Sequence, residues 1–288
     1  MKSTLSFFTS FWSAFLAVVL VPISVPAQIV FQTPSGEVIF IGTNLRDTFE
    51  VTSSCLPSGA RIRYSSGDGV RHEQIFSGVT GIIADMGGGL SWKPDVFSIR
   101  GSDLHGSIEV FGRNRSGIEL EIKGTSGNYP IIEGDVIFTG TPGPDYLTIS
   151  ESQIYGDVKA DLARGADEVH IGVNELTHFN PIVTIQGDVD VSLGVGDNSF
   201  SAIGANMRSL NVYGKDGDDD VVLICGVDNG TNIVLNAGKS EVFVYQSTLL
   251  GLTRIDGGSG STDAGYYEET IFGRVTLFTG FEAGDMRR

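Results

Sequence analysis

A tight glycine turn recurs through the second half of the chain at a nearly constant interval. The segment GDVKADLARGADEVHI (156–171) is echoed by GDVIFTGTPGPDYLTI from residue 134 and by GDVDVSLGVGDNSFSAI from residue 187. The same frame continues further, and its reference glycines are Gly143, Gly165, Gly196, Gly217, Gly238 and Gly260. Their spacings are 22, 31, 21, 21 and 22 residues. A fixed period of this size predicts a solenoid of stacked coils.

Apolar residues occupy the same places around each reference glycine. Five residues before it stand Phe138, Ala160, Val191, Val212, Ile233 and Ile255. Four and six residues after it stand Leu147 and Ile149, Val169 and Ile171, Phe200 and Ala202, Val221 and Leu223, Val242 and Val244, and Ala264 and Tyr266. The segment after each turn alternates with period two, as a strand does. We predict an all-β fold, a single parallel β-solenoid with right-handed coils of about 21–22 residues and buried inward rows.

One domain is predicted for the whole mature chain, residues 28–288, with clear repeats over 134–270. Upstream of the repeats, segments such as IEVFG (108–112) and IELEI (118–122) are short alternating strands bounded by glycine or polar turns. The 31-residue spacing places about ten extra residues near 173–181. Insertions in a solenoid become loops on its flank, either as partner-binding sites or as tolerated surface loops.

Residues 1–27 have the pattern of a secretory signal peptide. Lys2 precedes an apolar run from Phe11 to Val21, and Val25-Pro26-Ala27 places small residues before a cleavage site at Gln28. A run of about eleven residues is shorter than the roughly 20 that a membrane span requires. We therefore expect export, a secreted or cell-surface location, and no membrane span in the mature protein.

The charge of the mature chain limits its partners. The sequence after residue 27 contains all 35 acidic residues but 18 Lys and Arg, a net charge of −17. So acidic a surface repels phosphate backbones, which argues against nucleic acid and anionic lipid as partners. We expect cations as ligands, or no ligand at all, and extracellular polysaccharide or cell-surface components as partners. The sequence does not indicate an oligomeric state.

The two cysteines are predicted to be free thiols. Cys55 and Cys225 are 170 residues apart, which corresponds to about eight coils. With roughly 4.8 Å between stacked strands, they would lie nearly 40 Å apart, whereas a disulfide requires Cα atoms within about 7 Å. Both are expected to be buried or half-buried.

A polar residue, most often aspartate, follows two residues after each reference glycine. The row is Asp145, Asp167, Asn198, Asp219, Ser240 and Thr262. With GTPGPDYLT (140–148) and GKDGDDDVV (214–222), the row resembles the calcium-binding repeats of secreted bacterial RTX (haemolysin-type) proteins, G-G-x-G-x-D-x-U-x. The resemblance covers roughly residues 134–280. It implies calcium between stacked turns, with Asp145, Asp167, Asn198 and Asp219 as side-chain ligands.

The segment DGDDD (216–220) adds Asp216 and Asp218 to these candidate metal ligands. Four carboxylates within five residues repel each other unless a cation or water screens them. Stacking would bring this turn beside Asn198, and we expect weak calcium affinity, at roughly 10⁻⁴ to 10⁻³ M. Turn chemistry is the alternative for the whole row, because Asp and Asn side chains accept backbone N–H bonds in tight turns.

The predicted function is that of an exported structural or binding protein. The alternative is a carbohydrate-active β-helix enzyme of the polysaccharide lyase or glycosidase type, which would use clustered carboxylates on an outer face. Glu119 and Glu121 lie on one face of a predicted strand and are a candidate pair, although a solvated face explains them more simply. The four histidines show no metal-ligand spacing, and the sequence contains neither a nucleophile elbow nor a phosphate-binding glycine loop.

Overall fold

The structure, a computed structural model, is an all-β solenoid of about eight turns, which confirms the fold class indicated by the glycine repeat. It describes residues 28–53, 59–66, 69–87, 93–113, 116–125, 128–173, 183–260, 263–274, 276–281 and 286–287. The predicted signal peptide, Cys55 and nearly all of the predicted loop at 173–181 lie outside these residues. Within them, no helix is long and apolar enough to cross a membrane.

The described residues form 25 strands, numbered here in chain order. The first nine are β1 (Ile29–Gln32), β2 (Glu37–Ile41), β3 (Thr48–Ser53), β4 (Ala60–Ser65), β5 (Arg71–Phe76), β6 (Gly81–Asp85), β7 (Asp95–Arg100), β8 (Ile108–Phe111) and β9 (Ile118–Lys123). The next nine are β10 (Ile131–Ile132), β11 (Val136–Thr139), β12 (Tyr146–Ser150), β13 (Ser152–Ile154), β14 (Val158–Asp161), β15 (Glu168–Gly172), β16 (Val183–Gly194), β17 (Asn198–Gly214) and β18 (Asp219–Val234). The last seven are β19 (Glu241–Tyr245), β20 (Thr248–Leu249), β21 (Leu252–Asp256), β22 (Ala264–Glu268), β23 (Ile271–Phe272), β24 (Thr276–Thr279) and β25 (Met286–Arg287).

Each regular coil has three faces, and parallel strands stack on every face. Face 1 follows the reference glycine turn and contains β3, β7, β9, β12, β15, β19 and β22. Face 2 is short and contains β10, β13, β20 and β23. Face 3 contains β2, β6, β8, β11, β14, β21 and β24. Strands β17 and β18 pass through all three faces, and β16 passes through faces 2 and 3.

The predicted apolar rows face inward and form the core. On face 1, Leu147 pairs in register with Leu120 and Val169. On face 3, Phe138 pairs with Val110 and Ala160. These residues are all buried. Because side chains alternate along each strand and the coils stack in register, neighbouring coils share one continuous core.

The N-terminal end differs from a purely parallel solenoid. Strand β1 is antiparallel to β2 and extends face 3, and β4 and β5 continue face 1 beyond β3 as an antiparallel three-stranded sheet. The outermost strand, β5, begins Arg71-His72-Glu73, and its side chains are exposed. Charged side chains on an edge strand oppose pairing with another chain, so this sheet is a cap.

In the last coil the predicted frame is wrong by one residue. Val242 pairs with Gly265 rather than Ala264, and Val244 pairs with Tyr267 rather than Tyr266. Tyr266 instead lies on the outside, where its ring stacks on Phe243 with centroids 4.7 Å apart. The turn that contains GGSGSTDAG is one residue longer than the earlier turns, which shifts every following side chain to the other side of the strand.

Candidate functional site: two rows of aspartate

Four of the six predicted metal ligands lie in one buried row at the start of face 1. Asp145 and Asp219 are 0% exposed, Asp167 is 2% exposed and Asn198 is 3% exposed. Each stands immediately before or at the first residue of a face-1 strand segment. The sequence predicts turn or ligand groups at these positions, and the structure places the side chains inside the coil stack.

Hydrogen bonds run along this row from coil to coil. The backbone N–H of Asp145 donates to Oδ1 of Asp167 at 2.8 Å, and the N–H of Asp167 donates to Oδ1 of Asn198 at 3.0 Å. The Asn198 amide then donates to Oδ1 of Asp219 at 2.9 Å and to the carbonyl of Gly196 at 2.7 Å. Each side chain therefore accepts a bond from the coil before it.

The row continues in both directions, and we call it the buried ladder. Toward the N-terminus, the N–H of Asp47 donates to Asp95, and the N–H of Ile118 donates to Asp145. Ile118 occupies the ladder position of its own coil. Toward the C-terminus, the N–H of Ser240 donates to Asp263 at 2.9 Å, so Asp263 stands where the repeat frame predicted Thr262. Sequence reasoning missed three carboxylates of the ladder: Asp47, Asp95 and Asp263.

The reference glycines bring the coils into contact beside the ladder. A Cβ atom at Gly196 would collide with the carbonyl oxygen of Gly165, and one at Gly217 would collide with that of Gly196. Both glycines also have positive φ, +138° and +126°. Glycine recurs at this place because the backbones of successive coils stack directly on one another.

Asp216 and Asp218 are not part of the buried ladder. Both side chains are exposed on the turn that precedes Asp219. Oδ1 of Asp218 accepts the N–H of Lys239 at 2.6 Å, and the N–H of Asp218 donates to Asp197 at 3.0 Å. The structure therefore separates the six predicted ligands into four buried residues and two on the surface.

Burial changes the acidity of the ladder carboxyls. It raises the pKa of Asp145 and of Asp219 to about 6, and that of Asp167 to about 7. Hydrogen bonds oppose these shifts, and the loss of solvation outweighs them. At neutral pH these three carboxyls are therefore close to their titration range.

The buried ladder does not fit a calcium site as it stands. Oδ1 and Oδ2 of Asp145 accept the N–H groups of Ile118 and Thr141 at 2.7 and 2.6 Å. Oδ2 of Asp167 and of Asp219 has no partner, but each residue's Oδ1 already accepts an N–H bond. Calcium prefers six to eight oxygens. Within the described part of the chain, no group of three or more Asp, Glu, His or Cys side chains could hold a metal ion.

A second row of aspartates lies where face 2 meets face 3, in the repeated GDV motif. The N–H of Asp157 donates to Oδ1 of Asp135 at 2.8 Å, and the N–H of Asp188 donates to Oδ1 of Asp157 at 3.0 Å. We call Asp135, Asp157 and Asp188 the GDV corner. Here each carboxylate accepts a bond from the coil after it, the opposite direction to the buried ladder.

The GDV corner is open to solvent, and the pKa values of Asp157 and Asp188 shift the other way. Hydrogen bonds from Arg208 and Ser209 lower the pKa of Asp188 to about 2. The N–H of Asp188 and the ammonium of Lys159 lower the pKa of Asp157. The GDV motif reveals the repeat in the sequence, but no role for its aspartates was predicted from it. Their signal was the spacing of the GDV motifs, which matches that of the glycine turns.

The remaining candidate groups have structural surroundings. Glu121 forms an ion pair with Arg100 at 2.6 Å. His170 is buried, its Nδ1 lies 2.7 Å from the Ser201 hydroxyl, and desolvation lowers its pKa. Cys225 is a free, buried cysteine, and burial raises the pKa of its thiol to about 12. The buried position of Cys225 agrees with its prediction, and that of Cys55 stays a prediction.

Comparison of the chain with known proteins gives no match to a family model, to a curated protein or to a solved structure. A functional interpretation therefore depends on the geometry of the chain itself.

Proposed function

We propose that this chain is an exported structural or binding protein of the cell surface or its surroundings. The buried ladder supports this proposal, because its side-chain hydrogen bonds join neighbouring coils between Asp47 and Asp263, with one interruption at Ile118, whose side chain cannot accept a bond. A stack pinned in this way is a rod whose outer faces keep a constant register and can serve as an extended contact surface. Extracellular polysaccharide and cell-surface components are the partners we propose.

Export depends on residues 1–27 acting as a signal peptide. Expression of the full chain in a bacterial host should yield protein outside the cytoplasm whose N-terminal residue is Gln28, as determined by mass spectrometry. A chain without residues 1–27 is the control and should stay in the cytoplasm. Full-length protein that stays in the cytoplasm with Met1 intact would contradict export.

Attachment to the cell surface is tested by fractionation. Purified protein beginning at Gln28 should sediment with isolated cell envelopes of the producing organism, and added envelope polysaccharide should release it. Heat-denatured protein of the same sequence controls for nonspecific sedimentation. Protein that stays entirely in the supernatant would contradict a surface role.

We also propose weak, RTX-like calcium binding at the exposed carboxylates of the turn around Asp216 and Asp218. Because a ligand that binds only the folded state raises the melting temperature, millimolar calcium should raise it relative to chelator, and magnesium should do so less. Asp218→Asn should reduce the shift. Asp161→Asn, which removes an exposed carboxylate on face 3, is the matched control. Identical curves in calcium and chelator would assign these carboxylates to turn geometry alone.

A further inference from the structure

Charge is distributed unevenly along the solenoid. Residues 28–100 contain six Lys and Arg and seven Asp and Glu, whereas residues 101–288 contain 12 and 28. The N-terminal part of the chain, which contains the cap, is therefore close to neutral, and the coils that follow are strongly acidic. An anionic partner would meet the least repulsion at the cap.

The cap contains a large groove with a basic lining. The groove has a volume of about 1160 Å³ and lies between β3, β4, β5 and the segment that leads into β7. Cationic side chains from four separate places line it, namely Arg46, Arg63, Arg71 and Lys93. This volume exceeds the roughly 300–1,000 Å³ of most small-molecule pockets, so the groove has room for several units of a polymer.

Arginines already compensate the carboxylates of the groove floor. Oε2 of Glu73 lies 2.9 Å from Nε of Arg63, and its Oε1 lies 3.5 Å from Nε of Arg61. Glu50 lies 3.7 Å from Arg63 and 4.0 Å from Arg100. Opposite charges therefore alternate across the strands, and the two glutamates leave the groove without a surplus of negative charge.

Two other arginines supply the surplus positive charge. Arg46 donates through Nε to the carbonyl of Pro94 at 3.0 Å, which anchors the side chain without neutralising it. Arg71 is exposed on the edge strand, and neither Arg46 nor Arg71 forms an ion pair with a described carboxylate. The neighbouring His72 stacks on Tyr64, with ring centroids 5.1 Å apart, and this contact joins the edge strand β5 to β4.

We propose that this groove binds an anionic polysaccharide, with Arg46 and Arg71 contacting its carboxylate or sulfate groups. The planar guanidinium forms two parallel hydrogen bonds to such groups. A polysaccharide with one charge per sugar or fewer matches a groove with few surplus cations. Duplex nucleic acid, with about one charge per 1.7 Å, would be repelled more strongly by the acidic coils beyond the cap. The inference rests on the proposed polysaccharide partner and specifies its charge.

Calorimetric titration of the chain beginning at Gln28, in chelator, tests the proposal with a matched pair of polymers. Carboxymethyl cellulose should bind, and hydroxyethyl cellulose, which has the same backbone without the carboxylates, should not. Dextran sulfate and dextran form a second pair that distinguishes sulfate from carboxylate recognition. Binding should weaken as salt is raised to about 0.15 M, because exposed charges are screened.

The double variant Arg46→Gln/Arg71→Gln should bind at least about tenfold more weakly, and its circular dichroism spectrum should be unchanged. Arg208→Gln/Arg254→Gln removes two positive charges from other coils, and its affinity should match that of the parent chain. Equal affinity for charged and uncharged polymers, or an equal loss of affinity in both double variants, would overturn the preference for anionic polymers. Neither result would contradict a polysaccharide partner. Tighter binding of a duplex oligonucleotide, or no binding of any anionic polymer, would overturn the groove proposal, while envelope sedimentation tests the surface role separately.

Discussion

The buried ladder and the GDV corner use the same residue in opposite electrostatic states. In the ladder, burial raises the pKa of Asp167 to about 7. At the GDV corner, Arg208 and Ser209 lower the pKa of Asp188 to about 2. Asp167 accepts the backbone N–H of Asp145 from the preceding coil at 2.8 Å, whereas Asp188 accepts hydrogen bonds from the Arg208 guanidinium and the Ser209 hydroxyl of the following coil. Loss of solvation in the ladder, and the hydrogen bonds from Arg208 and Ser209 at the GDV corner, account for the difference between two residues of the same type.

Stability and acidity are therefore separable properties of a corner. The ladder carboxyls receive hydrogen bonds in a desolvated place, where a lost partner is expensive and a charge is unfavourable. The GDV carboxyls receive similar bonds in water, where the same changes have small effects.

The backbones of successive coils stack closely at both the buried ladder and the GDV corner. Replacing a glycine at either place should therefore lower the stability of the protein strongly. Gly196→Ala should destabilise the protein by about 3–5 kcal/mol, because overpacking and backbone strain each cost about 1–3 kcal/mol. Gly187→Ala meets the carbonyl of Gly156 and should cost nearly as much. Gly78→Ala, where a Cβ meets nothing within 4 Å, is the control and should cost about 1–2 kcal/mol. Urea denaturation measures all three, and equal small losses would contradict the stacking explanation.

Removing the carboxylate should separate the two corners. At pH 5, Asp145→Ala leaves the N–H groups of Ile118 and Thr141 without their partner and should cost about 2–5 kcal/mol. Asp188→Ala removes an exposed ion pair and should cost less than about 1 kcal/mol. Urea denaturation at this pH compares the two variants. Similar costs would mean that burial does not distinguish the corners.

The pH dependence of stability should reflect the raised pKa of Asp167 in the buried ladder. Because the pKa of Asp167 is raised in the folded state, the native protein holds its proton more tightly, and stability should fall as pH rises from about 4 to about 7. Asp167→Asn should flatten its share of this slope and raise stability at pH 8 by about 1–3 kcal/mol. The amide should fit, since Asn198 occupies the same position one coil later. An Asn variant less stable than the parent at pH 8 would show that the carboxylate is not buried as a costly charge.

The GDV corner should contribute the smallest change in stability, and its pH dependence should have the opposite sign to that of the buried ladder. Asp188 has a lowered pKa, so its contribution is present above about pH 4 and is lost as pH falls toward about 2. Asp188→Asn should lower stability at pH 6 by less than about 1 kcal/mol, and added salt should reduce the difference. Thermal unfolding at low and high salt is the measurement. A difference that salt leaves unchanged would mean that the ion pair with Arg208 is not screened by solvent.

The interior of the fold could be predicted because periodicity determines it. Rows such as Leu147, Val169 and Phe200 repeat at the coil length, and only an inward orientation buries all of them. The antiparallel cap could not be predicted in this way. The strand ARIRYS (60–65) alternates as any half-buried strand does, and alternation does not reveal the direction of the neighbouring strand.

The sequence predicted which residues form the candidate site, but it did not predict that their side chains are buried. Spacing from the glycine identified Asp145, Asp167, Asn198 and Asp219 as one row, and the structure contains that row. Spacing could not show that the row is buried, because an aspartate on a turn is ordinarily exposed. It also could not show that Asp216 and Asp218, which are close to Asp219 in sequence, lie on the exposed turn outside the row.

The opposite directions of the two rows have a consequence for how the rod comes apart. A coil depends on its successor at the buried ladder and on its predecessor at the GDV corner. Any boundary between an ordered and a melted coil therefore leaves an amide or a carboxylate unmatched, whichever end melts first. The free-energy cost of this boundary strengthens the coupling between neighbouring coils. The regular coils should therefore unfold together rather than one at a time.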